Sequence, residues 1–222
     1  LGDVYKRQNQ GVSLTGSERA GKAVAAEAGK NLKKVVLELG GSDPYVVLDT
    51  PDVAKTADLL FNTRMGNMGQ ACNSPKRMIV MEDIYDDFVS SITQAAKSIA
   101  VDNPWEDPGT LAPLSSTGAK ERFTEQVKAT VAEGATLLAG GEDYDGPGAW
   151  VRPVVLTDVK KGSRGYYEEL FGPAFMVFKV SSEEEAIELA NDTPFGLGSA
   201  IFSSDSARAE TVSYTHLTLP TT

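Results

Sequence analysis

The chain has 222 residues, enough for one large domain or two small ones, and a domain of that size buries roughly 70% of the surface its unfolded chain exposes. Hydrophobic residues make up 41% and charged residues 23%, a balance that excludes fibrous and disordered classes, while a formal charge of −10 and a pI near 4.7 set the averaged field against phosphate backbones and anionic lipid, so neither nucleic acid nor a membrane is an expected partner. No run of about 18 apolar residues and no basic-apolar leader pattern is present, which makes a cytoplasmic protein the expectation.

Taken in chain order, the pattern predicts a strand over 12–14 ending at Gly16, then an Ala-rich helix over 18–28 with Ser17 as its N-cap. Strands follow over 34–39 and, beyond the Gly40-Gly41 turn and Pro44, over 45–48. A helix is expected over 52–67, a strand over 77–81, and an amphipathic helix over 84–99. A loop rich in Asp, Pro and Gly over 102–113 leads to a helix over 115–133. Further strands are expected over 135–138, 151–156, 175–180 and 198–202, with a helix over 183–191 between the last two and another begun at Asp205. Strands separated by helices of this length point to βαβ units, hence an α/β fold with a largely parallel sheet. The stretches 1–8 and 212–222 break the pattern and read as non-native ends, so they are left out of the fold reasoning.

The chain has one cysteine, Cys72, and one histidine, His216, so no internal disulfide and no metal site is expected, and a Cys-His or Ser-His pair is disfavoured. A lone cysteine is most often a small buried hydrophobe. Cys72, however, sits in NMGQACNSPKR, where Gly66 and Gly69 let the backbone approach a ligand closely and aim an amide at a developing oxyanion; neighbouring amides also favour the thiolate that a nucleophile needs. Glu38 ends the apolar strand in VVLELGG. It is either a solvated carboxylate on an edge strand or, at a strand end opening onto a cleft, a partly buried general base.

Five strings carry a resemblance. LELGGSDP at 37–44 and GQAC at 69–72 resemble the glutamate and cysteine signatures of the aldehyde dehydrogenase superfamily, at that family's spacing, 72 − 38 = 34. EELFGP at 168–173 is similar to its third signature, again at the family's distance, 169 − 72 = 97. LTGSERAG at 14–21 resembles the phosphate-side turn of its cofactor domain, and NDTPFGLGSAIFSSD at 191–205 its late strand motif. The resemblance implies a Rossmann-like cofactor-domain remnant over 9–39 and a catalytic domain over 40–211.

It also implies roles. Cys72 attacks the aldehyde carbon, and the thiohemiacetal gives hydride to NAD or NADP and becomes a thioester. Glu38 activates the hydrolytic water. Glu169 holds the nicotinamide ribose and Phe171 packs by the nicotinamide ring; read without the family, they are a helix end stopped by Gly172-Pro173 with a Phe anchored in the core. Gly16, Ser17 and Gly21 form the phosphate turn, against the plainer reading of an ordinary capped helix, and Leu39 and Gly40 line the nicotinamide side.

Within the superfamily GQACNSPKRMIV, EELFGP and FGLG are most similar to bacterial succinate-semialdehyde dehydrogenases, which implies succinate semialdehyde as substrate and a homo-oligomeric parent. The arginine common before N-x-G-Q in that subgroup is replaced by Gly66, and the nearest, Arg64, reads as part of a solvated helix face. The family's second oxyanion donor, an asparagine from an earlier segment, has no counterpart in this sequence, so the chain by itself is expected to be inactive or nearly so. A CoA-acylating dehydrogenase and a non-catalytic module on a dehydrogenase scaffold are the alternatives; Glu38 favours hydrolysis over acyl transfer to CoA.

Overall fold

The computed structural model describes residues 8–100, 106, 111–142 and 148–213; His216 and most of the 102–113 loop lie outside them. The chain divides into two compact units, residues 1–40 and 41–222.

In the first unit β1 (Gly11–Thr15) and β2 (Lys34–Glu38) pair in parallel, Thr15 opposite Glu38, and α1 (Glu18–Lys30) makes the crossover. Ser17 caps the helix, its Oγ accepting from the Ala20 amide at 3.3 Å, as its sequence position predicts. Gly21 allows the helix to lie on the strand: a Cβ there would come within 2.6 Å of Leu39 Cδ2.

The second unit is built on a six-stranded sheet of order β5-β6-β7-β4-β3-β8. Its strands are β3 (Pro44–Val47), β4 (Arg77–Met81), β5 (Thr136–Ala139), β6 (Val154–Thr157), β7 (Ala174–Val180) and β8 (Ala200–Phe202); only the β5–β6 pair is antiparallel. The central strands are continuous apolar runs because both faces are covered. Val46, Ile79, Met176 and Phe178 face one core, and Val47, Met78, Val80, Phe175 and Val177 the other, strictly alternating along each strand. The second core is closed by α2 (Val53–Met65) and α3 (Glu82–Ser98), with Phe61 stacked on Phe175 at 5.0 Å. The first is closed by α4 (Thr117–Ala132) and α6 (Glu183–Asn191). The mostly parallel α/β class is as the sequence predicts.

Three local expectations are revised. The helix expected over 52–67 ends at Met65, because Asn67, Met68 and Gly69 take φ of 50°, 56° and 71°. A one-turn helix, α5 (Arg164–Tyr167), precedes the EELFGP string, which is therefore extended loop and not a helix end. Val212, where a foreign string was expected to begin just past α7 (Ser206–Thr211), is buried in the first core. Among the described residues no helix is long and apolar enough to cross a membrane.

Candidate active site

Parallel pairing decides where the site lies in the second unit. Loop 41–43 enters β3, 66–76 enters β4, 168–173 enters β7 and 192–199 enters β8. These four strands are neighbours running the same way, so their loops gather at one edge of the sheet, the edge of strand amino termini. Cys72 lies half-buried in the second loop, and Glu169 and Phe171 lie in the third.

The Cys72 loop is held in a conformation its own residues disfavour. Asn67 and Met68 occupy the left-handed region, at roughly 1–2 kcal/mol each for a side-chain-bearing residue. Burial of Met68 and reciprocal bonds, Asn67 Nδ2 to Gln70 O at 3.1 Å and Gln70 Nε2 to Asn67 O at 3.0 Å, offset that cost. Gly69 combines a positive φ with a backbone contact: a Cβ there would stand 2.4 Å from Gly172 O. The loops carrying Cys72 and Glu169 therefore touch main chain to main chain.

Arg64 ties them together, and its expected place on a solvated helix face is corrected: it is fully buried. It ends α2 beneath both loops, where a cation satisfies carbonyls that no water reaches. Nε donates to Ala174 O (2.8 Å), Nη1 to Gly69 O (3.2 Å) and Ser74 Oγ (2.8 Å), and Nη2 to Leu170 O (2.8 Å) and Gly172 O (2.6 Å). All five guanidinium donors are thus engaged inside the protein, so Arg64 has none left for a substrate carboxylate. Burial lowers its proton affinity, Glu169 opposes that, and the guanidinium stays charged at neutral pH.

A second buried cation sits closer to Cys72. Lys76 Nζ donates to the carbonyls of Ala71 and Cys72, both at 2.9 Å, and to Ser74 O at 3.4 Å, and pairs with Glu169 Oε1 at 3.2 Å. Burial, helped by repulsion from Arg64, pulls its pKa down to about 8 against the pull of Glu169 and Asp43. Glu169 Oε1 also accepts from the Gly41 amide at 3.2 Å. Gly41 presses on the cysteine, since a Cβ there would lie 2.5 Å from Cys72 O. Asp43, buried beside them, accepts from the Gly198 amide at 3.2 Å. Burial raises its pKa to about 6, with Lys76 and the Gly198 bond acting the other way.

Of the residues picked from the sequence, Cys72 and Glu169 are therefore linked through Lys76 and Gly41. Phe171 is 43% exposed, which removes the reading of a core-anchored aromatic. In the first unit Gly16 and Ser17 are exposed at the start of α1, Gly21 packs on Leu39, and Gly40 is half-buried. Glu38 ends β2 exposed, not partly buried as expected, because a two-stranded sheet covered by one helix leaves its side chains open. Sequence reasoning missed Gly41, Asp43, Lys76 and the inward role of Arg64. The one available signal was the Lys76-Arg77 pair opening the apolar run of β4, a poor place for charge unless it is bonded.

Two outcomes follow for the protein in solution. Arg64→Met, which keeps bulk but removes all five donors, should cost about 3–5 kcal/mol, read as a lower urea midpoint with an unchanged m-value. Asp43, whose folded pKa lies above its unfolded value, contributes stability that is complete below about pH 4 and lost as pH rises through about 6. Asp43→Asn should therefore match wild type near pH 4 and exceed it by up to about 3 kcal/mol at pH 7.5, measured by urea unfolding at both pH values.

The chain is similar to known proteins over most of its length. The model of the aldehyde dehydrogenase family matches residues 4–216. A succinate-semialdehyde dehydrogenase [NADP(+)] from Deinococcus radiodurans is 50% identical over 203 residues, which are 91% of this chain and 43% of that protein. The crystal structure of succinic semialdehyde dehydrogenase from Streptococcus pyogenes, in complex with NADP+, superposes with a TM-score of 0.87 at 47% identity, covering 91% of this chain and 45% of the other. Lactaldehyde dehydrogenase from Escherichia coli superposes with a TM-score of 0.88 at 36% identity, covering 93% and 44%. The chain thus spans less than half the length of these relatives, with a family match that runs through nearly all of it: the chain belongs to the aldehyde dehydrogenase family.

Proposed function

We propose that the complete protein carrying this segment oxidises an aldehyde to a carboxylic acid, with Cys72 as nucleophile and succinate semialdehyde as substrate. The observation that carries the reading is the Cys72 loop itself, held in a disfavoured conformation by two buried cations, Arg64 and Lys76, whose donors go largely to main-chain carbonyls. Energy stored in a backbone in this way is characteristic of a site where geometry matters more than stability. The kinship with succinate-semialdehyde dehydrogenases supports the substrate. The lactaldehyde relative shows that one scaffold serves more than one small aldehyde, so the substrate assignment rests on sequence kinship and not on the fold.

NADP or NAD, when bound, supplies the hydride acceptor; the names of the D. radiodurans and S. pyogenes relatives favour NADP. The residues present fit such a group. The start of α1 is exposed at Gly16 and Ser17, and a Cβ at Gly16 would meet nothing nearer than Ala20 Cβ at 4.0 Å, which leaves a phosphate room to reach the helix amides. Gly21 sets the helix close to Leu39, and Leu39 and Gly40 belong to the nicotinamide side. Glu169 would leave its inward partners or share them to hold the ribose, and exposed Phe171 offers a ring face to the nicotinamide.

The chemistry of this chain's own residues is then as follows. Cys72 Sγ bonds to the aldehyde carbon while its amide donates to the oxygen that takes up the electron pair. Loss of hydride from that carbon leaves a thioester on Cys72. Glu38 takes a proton from water, whose oxygen attacks the thioester carbon, and the acid leaves with Cys72 restored as thiolate.

In the complete protein Cys72→Ala should abolish turnover, and Glu38→Gln should give a burst of NADPH followed by a stalled acyl-enzyme, seen as added mass on Cys72. Unchanged steady-state turnover in Glu38→Gln would remove the assignment of the base, and release of an acyl-CoA would favour the acylating alternative. The 222-residue chain alone should show little or no turnover, since lacking one oxyanion donor typically costs ~10²-fold or more.

A further inference from the structure

The four acceptors around Lys76 have a geometric consequence for the nucleophile. A trans peptide points its C=O and N–H in opposite directions. The Ala71 carbonyl belongs to the same peptide as the Cys72 amide, and the Cys72 carbonyl to the peptide that follows. Lys76 Nζ draws in both carbonyls at 2.9 Å, so both peptide planes flanking the nucleophile are fixed and the Cys72 N–H is turned to the side away from the ammonium. Gly41 closes the other approach, leaving no room for the Cys72 carbonyl to rotate past it.

We propose that Lys76 is a positioning residue that aims the Cys72 amide at the oxygen of the substrate carbonyl, and that Glu169 acts on the nucleophile through it. This rests on the proposed function. Lys76 makes no contact with the substrate; it orients the donor that does. Its ammonium has three protons for four acceptors, so the carbonyls and Glu169 Oε1 share them, and movement of Glu169 changes how firmly the Cys72 peptides are held. Methionine fills the same space without donors, whereas glutamine returns two short donors.

A misaimed amide weakens stabilisation of the transition state and leaves substrate binding and the thiol intact. The complete enzyme and its Lys76→Met and Lys76→Gln variants would be assayed for kcat and KM with succinate semialdehyde and NADP. In parallel, Cys72 would be alkylated with iodoacetamide, a reaction that develops no oxyanion, and the modified site quantified by peptide mass spectrometry. Lys76→Met should lose about 10- to 100-fold in kcat, with KM and the rate of Cys72 alkylation each within about 3-fold of wild type. Lys76→Gln should recover part of the lost kcat.

A kcat within 3-fold of wild type in Lys76→Met overturns the proposal. So does a parallel fall of kcat and Cys72 alkylation, which would mean that the loop had merely come apart. A wild-type enzyme that oxidises no aldehyde would sink the functional reading and this inference with it, whereas an active wild type with an indifferent Lys76→Met sinks the inference alone.

Discussion

The buried guanidinium of Arg64 is the contact on which the arrangement of the site rests. Five main-chain and side-chain acceptors from two stretches of chain converge on it: Gly69, Ser74, Leu170, Gly172 and Ala174. No other side chain offers five donors in one rigid plane, and a lysine in its place could satisfy at most three of them. The ring of carbonyls would be expensive to bury without it, and without the ring the guanidinium could not be buried either. Loop 66–76 and loop 168–173 therefore take one relative position or none, and Gly69 at the contact, with no room for a Cβ, removes the remaining slack.

This demand for cations follows from the edge of the sheet on which the site is built. Ligands of open α/β folds ordinarily lie at the carboxyl ends of strands, where the following helices present their positive amino termini. Here the loops enter the amino ends of β3, β4, β7 and β8, so the helices that abut them, α2 before β4 and α6 before β8, arrive with their negative carboxyl termini. Such an edge turns helix carbonyl oxygens, not amides, toward the loops. Arg64 closes the last turn of α2, Lys76 covers the carbonyls around Cys72, and Arg77 donates to Leu189 O and to Ala190 O at the end of α6, between the rings of Tyr166 and Phe178. Three buried cations thus satisfy the carbonyls that this edge presents.

Much of the fold was legible because its strands are buried on both faces and its helices are capped by residues whose chemistry is local. Ser17, Asp52, Ser116 and Ser182 each cap the helix they precede, and the apolar runs at 77–81 and 174–180 have no reading other than strand. Cys72 and Glu169 could be found as members of motifs, but nothing local says that residues 97 apart lie on neighbouring loops; that is a property of parallel pairing between β4 and β7. Arg64 was misread for the same reason. A polar residue one turn from a helix end is usually solvated, and only the tertiary arrangement reveals the carbonyls waiting for it. Glu38 differs the other way, because an apolar strand suggests a covered sheet, whereas within the first unit β2 pairs with β1 alone among the described residues and most of its side chains are exposed.

Charge balance ties the remaining acids to these cations. Lys76 and Arg64 bring two positive charges within reach of Glu169, which alone cannot neutralise both. Asp43 is the second acid, buried and held by the Gly198 amide, and its pKa near 6 leaves it largely ionised at neutral pH. The cluster is then close to neutral. Below pH 6 Asp43 takes a proton and the cluster becomes net positive. The carboxylate is destabilised by its own burial and yet helps Glu169, the stronger partner, to keep a buried lysine charged, so its cost to stability and its service to the Cys72 loop arise from the same position in the fold.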